Sequence, residues 1–226
     1  MTEAKQNTIL PKLGEGIYLI KDIAQILKLD YDHVRRWIVG YWDGHLKENF
    51  NYTFGEKGSK AINFYSLIEF YTFYKLREKG IGATTIRQLH EALSNRLETP
   101  YPFAVAHDYY VEDRKYKKFV FVQHLDGFWK FDGKDKLYLN FIQEFLEKVE
   151  FDDNNIAVRF FPLGKQHNIV VDPKHQFGQP TILGTNIKTQ TLHNLYKGGE
   201  TYENISILYD LSIEEVKDAI RFQNAA

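Results

Sequence analysis

Between Ile20 and Ile38 two clusters of apolar residues stand only a few polar positions apart, and this spacing restricts the fold more than any other feature of the chain. Ile20, Ile23, Ala24, Ile26 and Leu27 recur at intervals of three and four, with Lys21, Asp22, Gln25 and Lys28 on the other side. That is the pattern of a helix of about two turns with one buried face. Leu29 and Asp30 interrupt it. Asp30 can accept from the first amides of a second helix, whose inward positions are Val34, Trp37 and Ile38. Two short helices joined by a turn of three or four residues make a helix-turn-helix, here exposing Tyr31, Asp32, His33, Arg35 and Arg36.

The segments that follow extend this unit. Tyr52 to Phe54 and Ala61 to Phe64 read as two strands around Gly55-Glu56-Lys57-Gly58-Ser59-Lys60, a hairpin with a basic tip that would serve as a wing. Ser66-Leu67-Ile68-Glu69 has the spacing of a capping box, so a long helix is expected from Ser66 to about Lys79. Gly80 ends it, and a further helix runs from Gly82 or Thr84 to about Leu97. The aromatic pairs at 64–65, 70–71 and 73–74 share one helix and are expected to pack a core or a dimer seam.

After Pro100 and Pro102 the character changes. Lys118 to Gln123, Phe128 to Phe131, Ile156 to Phe161 and Ile169 to Val171 are strand-like, with a helix expected over Leu137 to Val149. Beyond Asp172-Pro173 lies a turn-rich stretch from Phe177 to Thr185, then three short helices. Ser212-Ile213-Glu214-Glu215 is a second capping box that begins the last of them. The expected fold is therefore α+β. It comprises a winged helix-turn-helix at residues 17–100, a small α+β connecting or dimerising region at 101–165, and a three-helix, helix-turn-helix-like domain at 166–226.

Composition narrows the function classes. The chain of 226 residues has 43% hydrophobic and 15% aromatic residues, enough for packed cores, and no cysteine, so disulfides and thiolate metal sites are excluded. No stretch approaches the roughly 18 apolar residues of a membrane helix, and the expected location is the cytoplasm. Charge is balanced at 29 Lys and Arg against 30 Asp and Glu, and residues 1–100 carry 14 against 12. Any contact with a polyanion must therefore be local.

Tyr18-Leu19-Ile20 leading to Ala24, then Val34-Arg35 and Trp37, the hairpin, Phe64-Tyr65-Ser66 and Leu76-Arg77-Glu78-Lys79-Gly80 resemble the N-terminal half of MerR-like regulators. Asp172-Pro173 and Gly178-Gln179-Pro180-Thr181-Ile182-Leu183-Gly184-Thr185-Asn186-Ile187, with Gly199-Glu200 before a helix pair, resemble a bacterial domain of unknown function found in antitoxins, in which Arg stands at the position of Asn186. The order of these parts, from about Tyr18 to Phe222, is similar to that of VapB-type antitoxins of type II toxin-antitoxin operons. The resemblance implies a protein that binds and neutralises a PIN-like ribonuclease toxin and represses its own operon.

The residues themselves suggest roles. Tyr31, Asp32, His33 and Arg36 are expected at base edges or sugars of double-stranded operator DNA, Arg35 on phosphate, and Lys57 and Lys60 on the flanking backbone. A homodimer would place two such helices about 34 Å apart on a palindrome. The Gly178 to Gly184 loop lacks the Lys-Ser/Thr sequel of a phosphate cradle, and Pro180 removes an amide, so it reads as a rigid turn presenting a docking edge. Pro180, Thr185 and Asn186 are its expected partner-contacting residues. His107 with Asp108, Asp172 with His175, and His167 and His193 lack the spacing of a metal or acid-base site. No cofactor and no catalytic site are expected. The alternative reading is a protein-interaction adaptor, or a stand-alone transcriptional regulator without a toxin partner.

Overall fold

The computed structural model describes residues 14–42, 52–56, 58–78, 80, 82–105, 108–114, 117–124, 127–130 and 147–224. It combines helices with small antiparallel sheets, as expected of an α+β chain. Two compact units divide it: residues 1–67 together with 161–226, and residues 68–160.

In the first unit the chain enters strand β1 (Tyr18–Leu19), turns into helix α1 (Ile20–Leu27) and then α2 (Tyr31–Arg35). Ile20, Ile23, Ala24 and Ile26 are buried, which is the face the spacing demanded. Lys28 closes α1 in the left-handed region at φ 57°, its amide bonded to the Ala24 carbonyl, and Asp30 caps α2 by accepting from the His33 amide at 2.9 Å. The second helix departs from expectation in form. After five residues it widens into a π-helical turn, Arg36–Trp42, so that Val34, Ile38 and Trp42 point inward while Trp37 is only half-buried. Trp42 thus takes the core place expected of Trp37.

Strands β2 (Thr53–Phe54) and β3 (Ala61–Ile62) pair antiparallel, with Thr53 opposite Ile62, and β3 also pairs β1, giving the order β1-β3-β2. Gly55 is obligatory at the hairpin: at φ +87° any Cβ would lie 2.5 Å from the Ser59 carbonyl oxygen. Helix α3 (Phe64–Glu78), which belongs to the second unit from Ile68 onward, starts two residues before the expected capping box. Its cap is Asn63, whose Oδ1 accepts from the Ser66 amide at 2.9 Å. Ser66 and Glu69 do not form a box, because Glu69 is fully buried and bonded elsewhere. Phe64, Phe70, Tyr71 and Phe73 are core residues, as the aromatic pairs suggested.

The first unit also contains the C-terminal segment. Strands β9 (Ile169–Val170) and β10 (Thr181–Ile182) pair antiparallel, and helices α5 (Thr189–Lys197), α6 (Tyr202–Tyr209) and α7 (Ile213–Asn224) close the chain. Ile169, Ile182, Leu192, Ile205, Val216, Ala219, Ile220 and Phe222 form one apolar core. The capping box at Ser212 is made in full: Glu215 Oε2 accepts from the Ser212 amide at 2.7 Å, and Ser212 Oγ accepts from the Glu215 amide at 3.2 Å. The outer, polar side of α1 meets α7. The Lys28 ammonium donates to the Phe222 carbonyl and lies 3.8 Å over the Phe222 ring, while Gln25 bonds Gln223.

In the second unit α4 (Ala83–Leu97) follows α3, and a 3-10 turn at Pro102–Ala104 leads into a meander of β4 (Asp108–Arg114), β5 (Lys117–His124) and β6 (Gly127–Lys130). Strands β7 (Val149–Phe151) and β8 (Ala157–Phe160) form a separate hairpin. The helix expected over 137–149 lies outside the described residues up to 146, and Val149 is already in a strand. Glu69 organises this unit. Its Oε1 accepts from the amides of Phe103 at 2.7 Å and Ala104 at 2.9 Å, and its Oε2 lies 3.0 Å from His90 Nε2.

Candidate nucleic-acid interface and partner surface

Helix α2 presents its outer face because its inner one is taken: Val34, Ile38 and Trp42 are each at most 1% exposed. Tyr31 is 49% exposed, and Asp32, Arg35 and Arg36 are also exposed. Positions 31, 32, 35 and 36 share one helical side, so a phenol, a carboxylate and two guanidinium groups stand together. Arg36 Nε donates to the Asp32 carbonyl at 3.3 Å, which steadies the guanidinium against the helix. His33 differs from its neighbours. It is half-buried, and its ring stacks on Trp37 with centroids 5.7 Å apart and planes 14° from parallel. Such a face can offer bidentate guanidinium donors to a guanine edge or a phosphate.

At the hairpin, Lys60 is half-buried and donates to Thr53 Oγ1 at 3.3 Å, so its ammonium is held along the strand pair. Lys57 lies outside the described residues.

The loop from Gly178 to Thr189 is built by its own bonds. Pro180 is buried, and its carbonyl accepts from the Thr189 amide at 3.0 Å and the Thr189 hydroxyl at 3.3 Å. The Thr185 hydroxyl accepts from the Ile187 amide and donates to the Ile182 carbonyl, each at 3.0 Å. Of the three residues expected to meet a partner, only Asn186 is well exposed. Gly178 has a packing role: at φ +83° its Cβ would lie 2.0 Å from the Tyr18 hydroxyl. That phenol is fully buried, and burial, with Asp172 and Asp22 nearby, pushes its pKa well above the ordinary value.

Three of the described histidines each lie beside a carboxylate or amide oxygen. His175 Nδ1 lies 3.1 Å from Asp172 Oδ2, His167 Nδ1 lies 3.1 Å from Asp218 Oδ1, and His193 Nε2 lies 2.9 Å from Asn224 Oδ1. His107 is outside the described residues. Among the described residues no three His, Asp or Glu side chains group as metal ligands. A cleft of about 340 Å³ beside α1 gathers Lys21, Asp22, Gln25, Lys188 and Gln190. Among the described residues no helix is long and apolar enough to cross a membrane.

The sequence reading makes the last two helices an interaction surface because of the acidic start of the final one, Glu214 and Glu215, but two features escaped it. One is the Glu69–His90 pair, whose partners lie far apart in the chain. The other is the outer side of α6 and the start of α7, where Ile207, Leu208 and Ile213 are exposed. A signal for the latter was present, since Ile207-Leu208-Tyr209 places three apolar residues in a row and a helix cannot turn all of them to one core.

Residues 169–222 match the model of a family described as a protein of unknown function, DUF433. Over 85 residues the chain is 22% identical to the candidate antitoxin VapB45 of Mycobacterium tuberculosis, covering 37% of this chain and 36% of that one. Over 54 residues it is 35% identical to the uncharacterized protein Rv2308 of the same organism, covering 24% of this chain and 23% of that one. The chain thus spans about a third and about a quarter of the length of these relatives. The crystal structure of Rv2018 from M. tuberculosis has a similar fold, with a TM-score of 0.64 at 16% identity over 90% of this chain and 96% of that one. The chain is therefore weakly similar to a VapB-named protein over part of its length, and its residues 169–222 resemble the DUF433 family.

Proposed function

We propose that the chain is the antitoxin of a type II toxin-antitoxin system, which binds and neutralises a PIN-like ribonuclease and represses its own operon. The observation that carries the reading is the joining, in one compact unit, of an exposed Arg35–Arg36 face with a DUF433-like segment, in a chain 22% identical over 85 residues to a VapB-named protein. In this reading α1 and α2 with the β2–β3 hairpin work as a winged helix-turn-helix of the MerR-like kind within residues 17–100. Residues 101–165 connect or dimerise, and residues 166–226 hold the toxin. Tyr31, Asp32 and Arg36 meet base edges or sugars, with His33 stacked behind them, and Arg35 holds phosphate. Lys57 and Lys60 lie along the flanking backbone. A homodimer in the cytoplasm brings two α2 faces to successive major grooves, about 34 Å apart. The loop residues Pro180, Thr185 and Asn186 shape the toxin contact, Asn186 through its exposed side chain. The chain performs no catalysis of its own.

The test is fluorescence anisotropy on the duplex upstream of the gene against scrambled DNA, with and without paired Arg35→Ala and Arg36→Ala changes. The proposal expects tight binding to the upstream site that the paired variant loses. Its log-log salt slope should be about −0.9 per phosphate contact. A folded protein with no preference at low salt would leave a protein-interaction adaptor.

A further inference from the structure

Lys21 on α1 and Lys188 at the start of α5 line the cleft of about 340 Å³, whose lining residues all belong to the first unit. Its size is at the lower end of the roughly 300 to 1,000 Å³ of small-ligand sites, but its chemistry is not that of an apolar pocket. Among the described lining residues, 25, 179, 190 and 223 are glutamines, and Pro180 alone is apolar. The back of the cleft is fixed. Gln223 is 8% exposed, accepts from the Gln25 carboxamide and donates to Thr189 Oγ1 at 2.7 Å, which ties α7 to both α1 and α5.

Charge in the cleft is unbalanced. Two ammonium groups stand against the carboxylate of Asp22, whose Oδ2 already accepts from the Leu19 amide at 2.9 Å. Among the described residues no ion pair or hydrogen bond engages either ammonium. Two like charges brought to one cleft repel, and an anion seated between them turns that cost into attraction. The backbone adds a donor. The Thr189 and Thr191 amides bond the Pro180 and Lys188 carbonyls at 3.0 Å each, and the Gln190 amide between them has no partner among the described residues. The dipole of α5 favours negative charge at this end.

We infer that Lys21 and Lys188, with the cleft between them, seat a phosphate group. Phosphate fits this donor set because its charge is spread over several oxygens that two ammonium groups and an amide can share. The glycine loop itself supplies no cradle, since Pro180 lacks an amide. Two sources present this chemistry: a free phosphate-bearing small molecule, and a backbone phosphate of duplex DNA, which the first helix of a helix-turn-helix crosses. Only the second rests on the function proposed above.

The full chain is titrated with inorganic phosphate by amide NMR, and with the upstream duplex by fluorescence anisotropy across a salt series. The variants are Lys21→Gln paired with Lys188→Gln, and Lys197→Gln at the far end of α5 as a control for charge, with circular dichroism to check the fold. Inorganic phosphate should shift the Gln190 amide, and the lysine pair should bind it about tenfold more weakly while Lys197→Gln does not. A response to phosphate alone assigns the cleft to a small molecule. A duplex salt slope shallower by about 0.9 in the lysine pair, one phosphate contact, assigns it to the DNA backbone. If the pair matches the unmodified chain in both titrations, or Lys197→Gln weakens binding as much, the inference falls, while loss of duplex binding on changing Arg35 and Arg36 would still uphold the DNA reading. If the unmodified chain binds no duplex, that reading falls, and the phosphate titration alone decides the cleft.

Discussion

Ser66-Leu67-Ile68-Glu69 and Ser212-Ile213-Glu214-Glu215 share one pattern at the start of two helices, yet only the second is a capping box. At Ser212 the helix end lies at the surface, and Ser212 and Glu215 satisfy each other's amides. At Ser66 the helix has already begun under Asn63, and Glu69 is fully buried with its oxygens turned to Phe103, Ala104 and His90. The pattern states what two side chains can do for a helix end. Burial decides whether the carboxylate is free to do it.

The comparison breaks first at Glu69. Glu69→Ala removes the acceptor for two buried amides and leaves His90 facing a gap. It should cost about 2 to 5 kcal/mol in urea unfolding, the loss expected when two buried amides lose their acceptor. A loss near 1 kcal/mol would mean that Glu69 matters no more than a cap.

Glu69→Gln sharpens the point through pH. Burial raises the Glu69 carboxyl above its ordinary 4.5, against the lowering pull of His90 and the two amides. The folded protein thus keeps this proton to higher pH than the unfolded chain. Its stabilising contribution is full below about 4.5 and falls as pH rises through the folded value. Glutamine lacks that step, so urea midpoints should show the unmodified chain losing ground to Glu69→Gln as pH rises. A constant difference between the two would disprove the assignment.

The caps come next. Ser212→Ala and Asn63→Ala should each cost about 1 kcal/mol, the usual loss at an N-cap. Thermal melts in which Ser66→Ala produced that loss and Asn63→Ala did not would restore the box that the sequence suggests.

Lys28 lies between the two extremes, half-buried over Phe222, and desolvation lowers its pKa to about 8. The unfolded chain holds this proton to 10.5, so stability should rise slightly as pH climbs from about 8 to 10.5. Lys28→Met should abolish that small rise in melting temperature while leaving the rest of the pH profile in place.

What could be read in advance follows the range of the interactions. The α1–α2 turn rests on Asp30 and the His33 amide three residues on, and the Ser212 box on a partner equally near. Both were legible, as were the strands at 118–123 and 157–160. Glu69 depends on residues 34 and 35 positions away, and no local pattern announces them. The π turn at Arg36–Trp42 likewise reflects a choice between Trp37 and Trp42 for the core, which spacing alone leaves open. In the candidate site, the exposure of Arg35 and Arg36 followed from helical spacing. The tether of Lys60 to Thr53 and the burial of Pro180 did not.

Lys28 and the Phe222 carbonyl it bonds are 194 residues apart, yet they belong to one packed body. On a ribosome adding about 5 to 20 residues per second, the first helices wait roughly 10 to 40 s for the surface that covers them. Through that interval the Gln25–Lys28 side of α1 lacks its partners, so this contact can close only when synthesis is nearly complete.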